Sequence, residues 1–292
     1  FHEGDRLGLD MPHNPRMQGL LNRLRAQGHE IGNHGGWVHN VFGEQAADDN
    51  ADRFTPWLAL NQKTLSTIVG QRLVSYSAPM GNHPDWVTGW LREHDFRAYY
   101  TAGDSGLGPT RAYRQGQPPA AGTPWAFPIS NLQRIATLDE LPQLDAPESL
   151  MADFMRDLVR HVSAQGIVRL FYFHPASAPD YPHSLGVLRE TTQALRQQGR
   201  FRWYSMQQMA DFLDRRLAAQ WEMQAPADGD MARLHAQSPQ SLQGITWVFP
   251  KGRVQSLHLS VGQAQIIEDP QQWRVIAGDV HQITLHWQQR QE

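Results

Sequence analysis

The stretch Gly28-His29-Glu30-Ile31-Gly32-Asn33-His34-Gly35-Gly36-Trp37-Val38-His39-Asn40 is the densest chemical signal in the sequence. Neutral imidazole is a good ligand for zinc and similar ions, and two imidazoles close in the chain lose little entropy in converging on one. His34 and His39 are the pair in question. Five positions on one regular helix set side chains about 140° apart, so the two cannot share a helical face. Either Gly35-Gly36 bends the chain and lets them chelate, or they are ordinary hydrogen-bonded residues.

Working outward, Met17, Leu20, Leu21 and Leu24 follow helical spacing up to a stop at Gly28. Thr55-Pro56 reads as the opening of a helix carrying Leu58, Leu65 and Ile68. Residues 72–76, 96–101, 167–173 and 201–204 read as strands, and 84–94, 148–163 and 185–198 as helices. A last helix, capped by Ser205 with Gln208 three positions on, carries Met206, Met209, Leu213, Leu217 and Trp221 in one stripe. Such βα alternation predicts a parallel sheet covered by helices, closed as a barrel or open, with chemistry at the C-terminal strand ends.

Beyond residue 223 the grammar changes. Residues 224–243 read as a linker, marked by Pro226 and Gly229. Residues 244–292 contain short runs with period-two alternation, such as Leu257/Leu259/Val261 and Ile283/Leu285/Trp287, and predict a small antiparallel β module.

Composition narrows the chemistry. In 292 residues, 26 Lys+Arg stand against 29 Asp+Glu for a net charge of −3, so the chain carries no electrostatic footprint for nucleic acid or an anionic membrane. The longest apolar runs fall far short of the roughly 20 residues a membrane-spanning helix needs. Cysteine is absent, which removes disulfides, thiolate metal sites and Cys nucleophiles together, so any metal site must use His, Asp or Glu.

Three further elements carry chemistry. Ser77-Ala78-Pro79-Met80-Gly81, directly after a strand, is a turn that can present backbone N–H groups to an oxyanion, or a plain strand-to-helix connection. Trp125, between Pro124 and Pro128, can wall a sugar or acyl pocket or simply pack. Residues 170–173 form an apolar run ending in His174, a proton-transfer group at the end of a βα strand or a satisfied core histidine.

In this order, the four elements resemble the polysaccharide deacetylase (NodB-homology) family over roughly residues 1–217: a Gly-His-Glu-Ile-Gly-Asn-His stretch, a Pro-x-Gly turn, a Trp loop and a strand ending in His. The resemblance implies a distorted (β/α) barrel of NodB type over residues 1–223, holding one divalent metal, usually zinc. The implied enzyme removes N-acetyl groups from an amino-sugar polysaccharide, which points to the cell envelope, the periplasm or a secreted setting. His34 and His39 become metal ligands, the backbone near Met80 holds the oxyanion, Trp125 lines the acetyl pocket and His174 protonates the departing amine.

The sequence also departs from the family. Its Asp pair, a metal ligand and the catalytic base, has no counterpart before His34; Phe1-His2-Glu3-Gly4 matches the end of the family's second strand, which places the first strand ahead of residue 1. Asp5, Asp10, Asp48 and Asp49 are nearby carboxylates in settings unlike that motif. The histidine spacing is one residue longer than usual, Ser77 stands where the family carries an Arg, and acidic residues that tether the catalytic His are missing before Trp125. Two alternatives therefore stand beside the deacetylase: a non-catalytic carbohydrate-binding protein on a degenerate barrel, motivated by the missing Asp pair and ten Trp, and a related hydrolase of small amides.

Overall fold

Short parallel strands, each followed by helical chain, organise the N-terminal two-thirds of the protein. The computed structural model describes residues 13–36, 38–102, 108–111, 116–225 and 231–290; Trp37, Asp5, Asp10, the Phe1–Gly4 segment and Pro226–Gly229 lie outside them. The chain divides into two units, Phe1–Gln208 and Met209–Glu292.

In the first unit, α1 (Pro15–Ala26) is capped by Asn14, whose side chain accepts from Arg16 N and Met17 N. Helix α2 (His39–Gln45) is short, and α3 (Ala51–Val69) ends on Gly70 at φ 66°. Helix α3 starts four residues before the expected Thr55-Pro56 opening and takes Pro56 into its body. The earlier start buries Phe54 fully, one turn before Leu58. Burying a Phe contributes about 1.5–3 kcal/mol, which offsets most of the roughly 3 kcal/mol that a proline costs in a helix interior.

Strands β1 (Ser75–Tyr76), β2 (Ala98–Thr101) and β3 (Trp125–Pro128) form a parallel sheet in that order, with α4 (Asp85–Glu93) between the first two. Tyr76 pairs with Tyr99, and Tyr99 with Ala126. Single parallel bridges extend the sheet at both edges, Asn33 to Tyr76 and Ile129 to Leu170. Side chains alternate along each pass. One face carries Asn33, Tyr76, Tyr99 and Ala126; the last three join Phe42, Phe54, Leu58, Trp90 and Leu91 from the helices in one core. The opposite face carries Ser75, Tyr100, Phe127 and Leu170, and its period leads upward to His34, Ser77, Tyr172 and His174.

A closed barrel is not formed by the described residues. The 167–173 run makes one bridge, at Leu170, and 201–204 forms no strand, with Trp203 and Tyr204 both exposed. Closure requires both sheet edges to find partners, and neither segment makes a ladder. Helices α5 (Glu148–Gln165) and α6 (Pro182–Gln197) instead build a second core from Met151, Met155, Val159 and Leu188 with Ile135, Leu138 and Leu141. The Ser205/Gln208 capping box forms as expected, Gln208 N donating to Ser205 Oγ at 3.2 Å and Ser205 N to Gln208 Oε1 at 2.9 Å.

That box opens α7 (Met206–Ala218), in which the division between the units falls. The expected stripe ends at Leu213: Leu217, still helical, is 61% exposed, and Trp221 sits 60% exposed on β4 (Gln220–Gln224). The second unit holds two antiparallel sheets, β4-β5-β10-β7 and β6-β9-β8. Their strands are β5 (Ala232–Gln237), β6 (Thr246–Pro250), β7 (Val254–Val261), β8 (Ala264–Glu268), β9 (Gln272–Ala277) and β10 (Gln282–Gln289). Leu234, Ile283, Leu285 and Trp287 from one sheet meet Phe249 and Val275 from the other in a shared core. The β module is thus larger than its sequence signature. Strand β5 lies inside the 224–243 stretch read as a linker, because Ala232 and Ala236, two of its three inward residues, are too small to announce a period of two.

Candidate active site

The site begins where Asn33 ends its pass beside β1. Asn33 N donates to Ser75 O at 2.9 Å and Ser77 N to Asn33 O at 2.9 Å, while Asn33 Nδ2 donates to Leu58 O at 3.0 Å in α3. The backbone preceding His34 is therefore held on two sides. Gly35 and Gly36 then take φ of 75° and 109°, conformations that L side chains rarely adopt. A Cβ at Gly36 would sit 2.6 Å from Trp57 O. The chain turns here and enters α2 at His39.

The two rings come together across that turn, their centroids 4.7 Å apart and their planes at 47°. His34 Nδ1 donates to Ser77 O at 2.8 Å and lies 2.6 Å from Ser77 Oγ. His39 Nδ1 donates to Asn40 Oδ1 at 2.8 Å. With Nδ1 engaged in each ring, Nε2 is the nitrogen placed to meet an ion, as in metal-ligating histidines whose other nitrogen is anchored. Burial pushes His34 from its ordinary value of 6.5 down to about 4, helped by the fields of His39 and His174 and opposed by the Ser77 carbonyl. It is a neutral donor at pH 7. No third His, Cys, Asp or Glu joins the pair in a metal-sized group among the described residues. The donors present fit two positions of a zinc-type shell.

Gly36→Ala is expected to lower unfolding stability by roughly 2–4 kcal/mol, combining backbone strain with the clash against Trp57 O. A urea midpoint unchanged from the parent would refute the constraint.

A second constellation stands on the same sheet face. His174 Nδ1 donates to Asp139, at 2.9 Å from Oδ1 and 3.1 Å from Oδ2. Asp139 sits in a 3-10 turn (Leu138–Leu144) opened by a Thr137/Glu140 capping box. Burial alone would raise the Asp139 carboxyl, but hydrogen bonds from the Thr137 hydroxyl and the His174 ring outweigh it and hold it below its usual range. On the other side of the ring, Nε2 lies 3.0 Å from Tyr172 Oη. Tyr172 bonds in turn to Tyr100, whose hydroxyl donates to Ala78 O at 2.6 Å. His174 is 49% exposed at its side chain, not buried as a core histidine would be.

Asp139 was not singled out in the sequence, since it follows Trp125 instead of preceding it and lies 35 positions from His174. The legible signal was Thr137-Leu138-Asp139-Glu140, a capping box that fixes a turn and aims its second residue.

The remaining sequence candidates fall differently. Met80 occupies the Pro79–Gly81 turn with a left-handed backbone (φ 53°), its side chain 61% exposed and lying over Gly43 of α2. The turn therefore adjoins the helix that begins at His39. Trp125 is not brought to the histidines. It starts β3, at the end opposite the Ile129–Leu170 bridge that leads to His174, is 9% exposed, and lies under the Arg111 guanidinium at 4.7 Å. The strand end that leads to His174 is thus the other end of β3. His83 stacks on Tyr99 with ring centroids 4.4 Å apart. Asp48 accepts from Asp85 N at 2.7 Å and serves the start of α4.

The His34 shift sets a pH window. Its folded value lies below its unfolded one, so the unfolded chain binds more protons between pH 6.5 and 4 and stability rises with pH there. The metal-free chain is expected to lose roughly 2–3 kcal/mol as pH falls through that window. His34→Gln should flatten the slope, as read by urea unfolding across pH. A loss confined to lower pH would belong to Asp139 and the other carboxylates.

Residues 11–99 match the family model described as polysaccharide deacetylase. A solved structure 18% identical, covering 73% of this chain and 72% of its own at a TM-score of 0.52, is that of a Mycobacterium smegmatis protein assigned as a polysaccharide deacetylase. At that identity the likeness concerns the fold. An alpha-amylase from H. orenii, 8% identical over 94% of this chain and 65% of its own, reaches a TM-score of only 0.20 and carries no argument. No curated protein matches the chain. No helix among the described residues is long and apolar enough to cross a membrane.

Proposed function

We propose that the chain, whose residues 11–99 match the family model described as polysaccharide deacetylase, is a hydrolase of carbon–nitrogen bonds that removes N-acetyl groups from an amino-sugar polysaccharide. We further propose that it does so with a divalent metal, zinc first among the candidates, held by Nε2 of His34 and Nε2 of His39. The observation that carries this reading is the approach of those two rings across Gly35-Gly36, each anchored through Nδ1. When bound, such an ion polarises a carbonyl and acidifies a water.

The chain's own residues supply the rest. Ser77 fixes the His34 tautomer through its carbonyl, the role that an outer-shell partner plays in keeping a ligand nitrogen free. His174 delivers a proton from Nε2 to the departing amine, and Asp139 orients the ring and stabilises the imidazolium. The backbone N–H of Met80, in the turn beside α2, is assigned the developing oxyanion.

Acetate release from chitooligosaccharides and from N-acetylated peptidoglycan fragments, with one equivalent of zinc, tests the proposal. His174→Gln serves as the control for the proton donor. Release that requires zinc and falls in the control supports it. No acetate from any substrate, with or without metal, rejects it.

A further inference from the structure

The second unit has a face of another kind. In the sheet β4-β5-β10-β7, the residues opposite the core stand in rows across the strands, fixed by register. One row is Gln224, Arg233, His286 and His258, since Gln224 pairs with Arg233, Arg233 with His286, and His286 with His258. The next is Glu222, His235 and Thr284, in which the His235 ring bonds the Thr284 hydroxyl at 3.0 Å. Apart from Val261, which pairs with Thr284 at a bulge, the face is polar throughout and continues into Gln220, Gln237, Gln282, Gln288 and Ser256.

The first row concentrates positive charge without a matching acid. His258 and His286 stack with centroids 5.3 Å apart and planes at 14°. Arg233 forms no ion pair among the described residues, and its Nε is buried without a hydrogen-bond partner. His286 is held below its ordinary value by partial burial, then by the fields of His258 and Arg233. Like charges directly opposite on neighbouring strands destabilise a sheet, and a buried guanidinium nitrogen without an acceptor costs more. Glu222, exposed in the next row, is the single acid in these two rows among the described residues. An oxyanion over the row would accept from the Arg233 guanidinium and from the ring N–H groups of His286 and His258. Four strands at about 4.8 Å spacing make the row roughly 14 Å long, enough for successive sugar units of one polymer.

We propose that this face binds a carboxylate-bearing polysaccharide, with Arg233, His286 and His258 as the anion contacts. That the polymer is a polysaccharide rests on the deacetylase reading; the anion site stands without it.

Affinity electrophoresis of the full chain through gels containing polygalacturonate tests the site. Retardation is expected, with little retardation by neutral hydroxyethylcellulose. Arg233→Gln should remove it. His258→Gln, at an exposed position that folding tolerates, should weaken it. Equal retardation by the neutral polymer, retardation unaffected by either substitution, or tighter binding to duplex DNA overturns the proposal, as does competition by inorganic phosphate without polygalacturonate binding. Acetate release from a short neutral oligosaccharide should be the same in Arg233→Gln as in the parent. Retardation in a chain that releases no acetate upholds the site and counts only against the deacetylase.

Discussion

Replacing His34 by alanine is expected to abolish zinc-dependent acetate release, leaving less than about 1% of the parent rate, and to weaken zinc binding at least 100-fold. The imidazole is a neutral donor already held in its ligating tautomer, so its loss removes half of the donor pair among the described residues. The substitution also strands the Ser77 carbonyl and leaves a small void beside it. That costs about 1–3 kcal/mol, so the variant is compared by circular dichroism and urea unfolding before its activity is read. Zinc affinity is measured by equilibrium dialysis. His39→Ala should lose zinc to a similar extent with a smaller stability cost, because His39 begins a helix and bonds only to its neighbour Asn40. Retained zinc affinity in both variants would move the metal elsewhere and dissolve the proposed site.

The second large effect belongs to Asp139. With Asp139→Ala the His174 ring loses the partner that fixes its tautomer, and acetate release should fall about 100-fold through kcat with little change in KM. The fall is smaller than buried triads show, because Asp139 and His174 are each about half solvated and water takes over part of the orienting role. Glu at 139 should restore a fraction of the rate that Ala does not. A kcat unchanged in Asp139→Ala would leave the carboxylate as a turn-stabilising group bonded to Thr137 and Ser177.

What the sequence disclosed follows the reach of each interaction. His34 and His39 are five positions apart with two glycines between them, so their meeting could be read as a bend. Asp139 and His174 meet through tertiary packing of a 3-10 turn, which leaves no spacing to read. Helices carried by strong periodic stripes, such as α5 and α6, appear within a few residues of their expected bounds. The closing strands of a barrel do not, because an apolar run records burial and not the partner that a ladder needs. Which end of its strand Trp125 takes is hidden for a related reason. A Pro-flanked aromatic looks alike at either end of a strand, and only the register assigns it to the end away from the histidines. In the second unit, Leu234 between two alanines was too faint to mark a strand, whereas Ile283/Leu285/Trp287 was not.

In the proposed reaction the departing amine takes the place that the Tyr172 hydroxyl holds against Nε2 of His174. An incoming nitrogen would then displace a phenol that already has another companion in Tyr100, exchanging one hydrogen bond for another. Preference for one polymer over another would then be written along the sugars flanking the acetyl group.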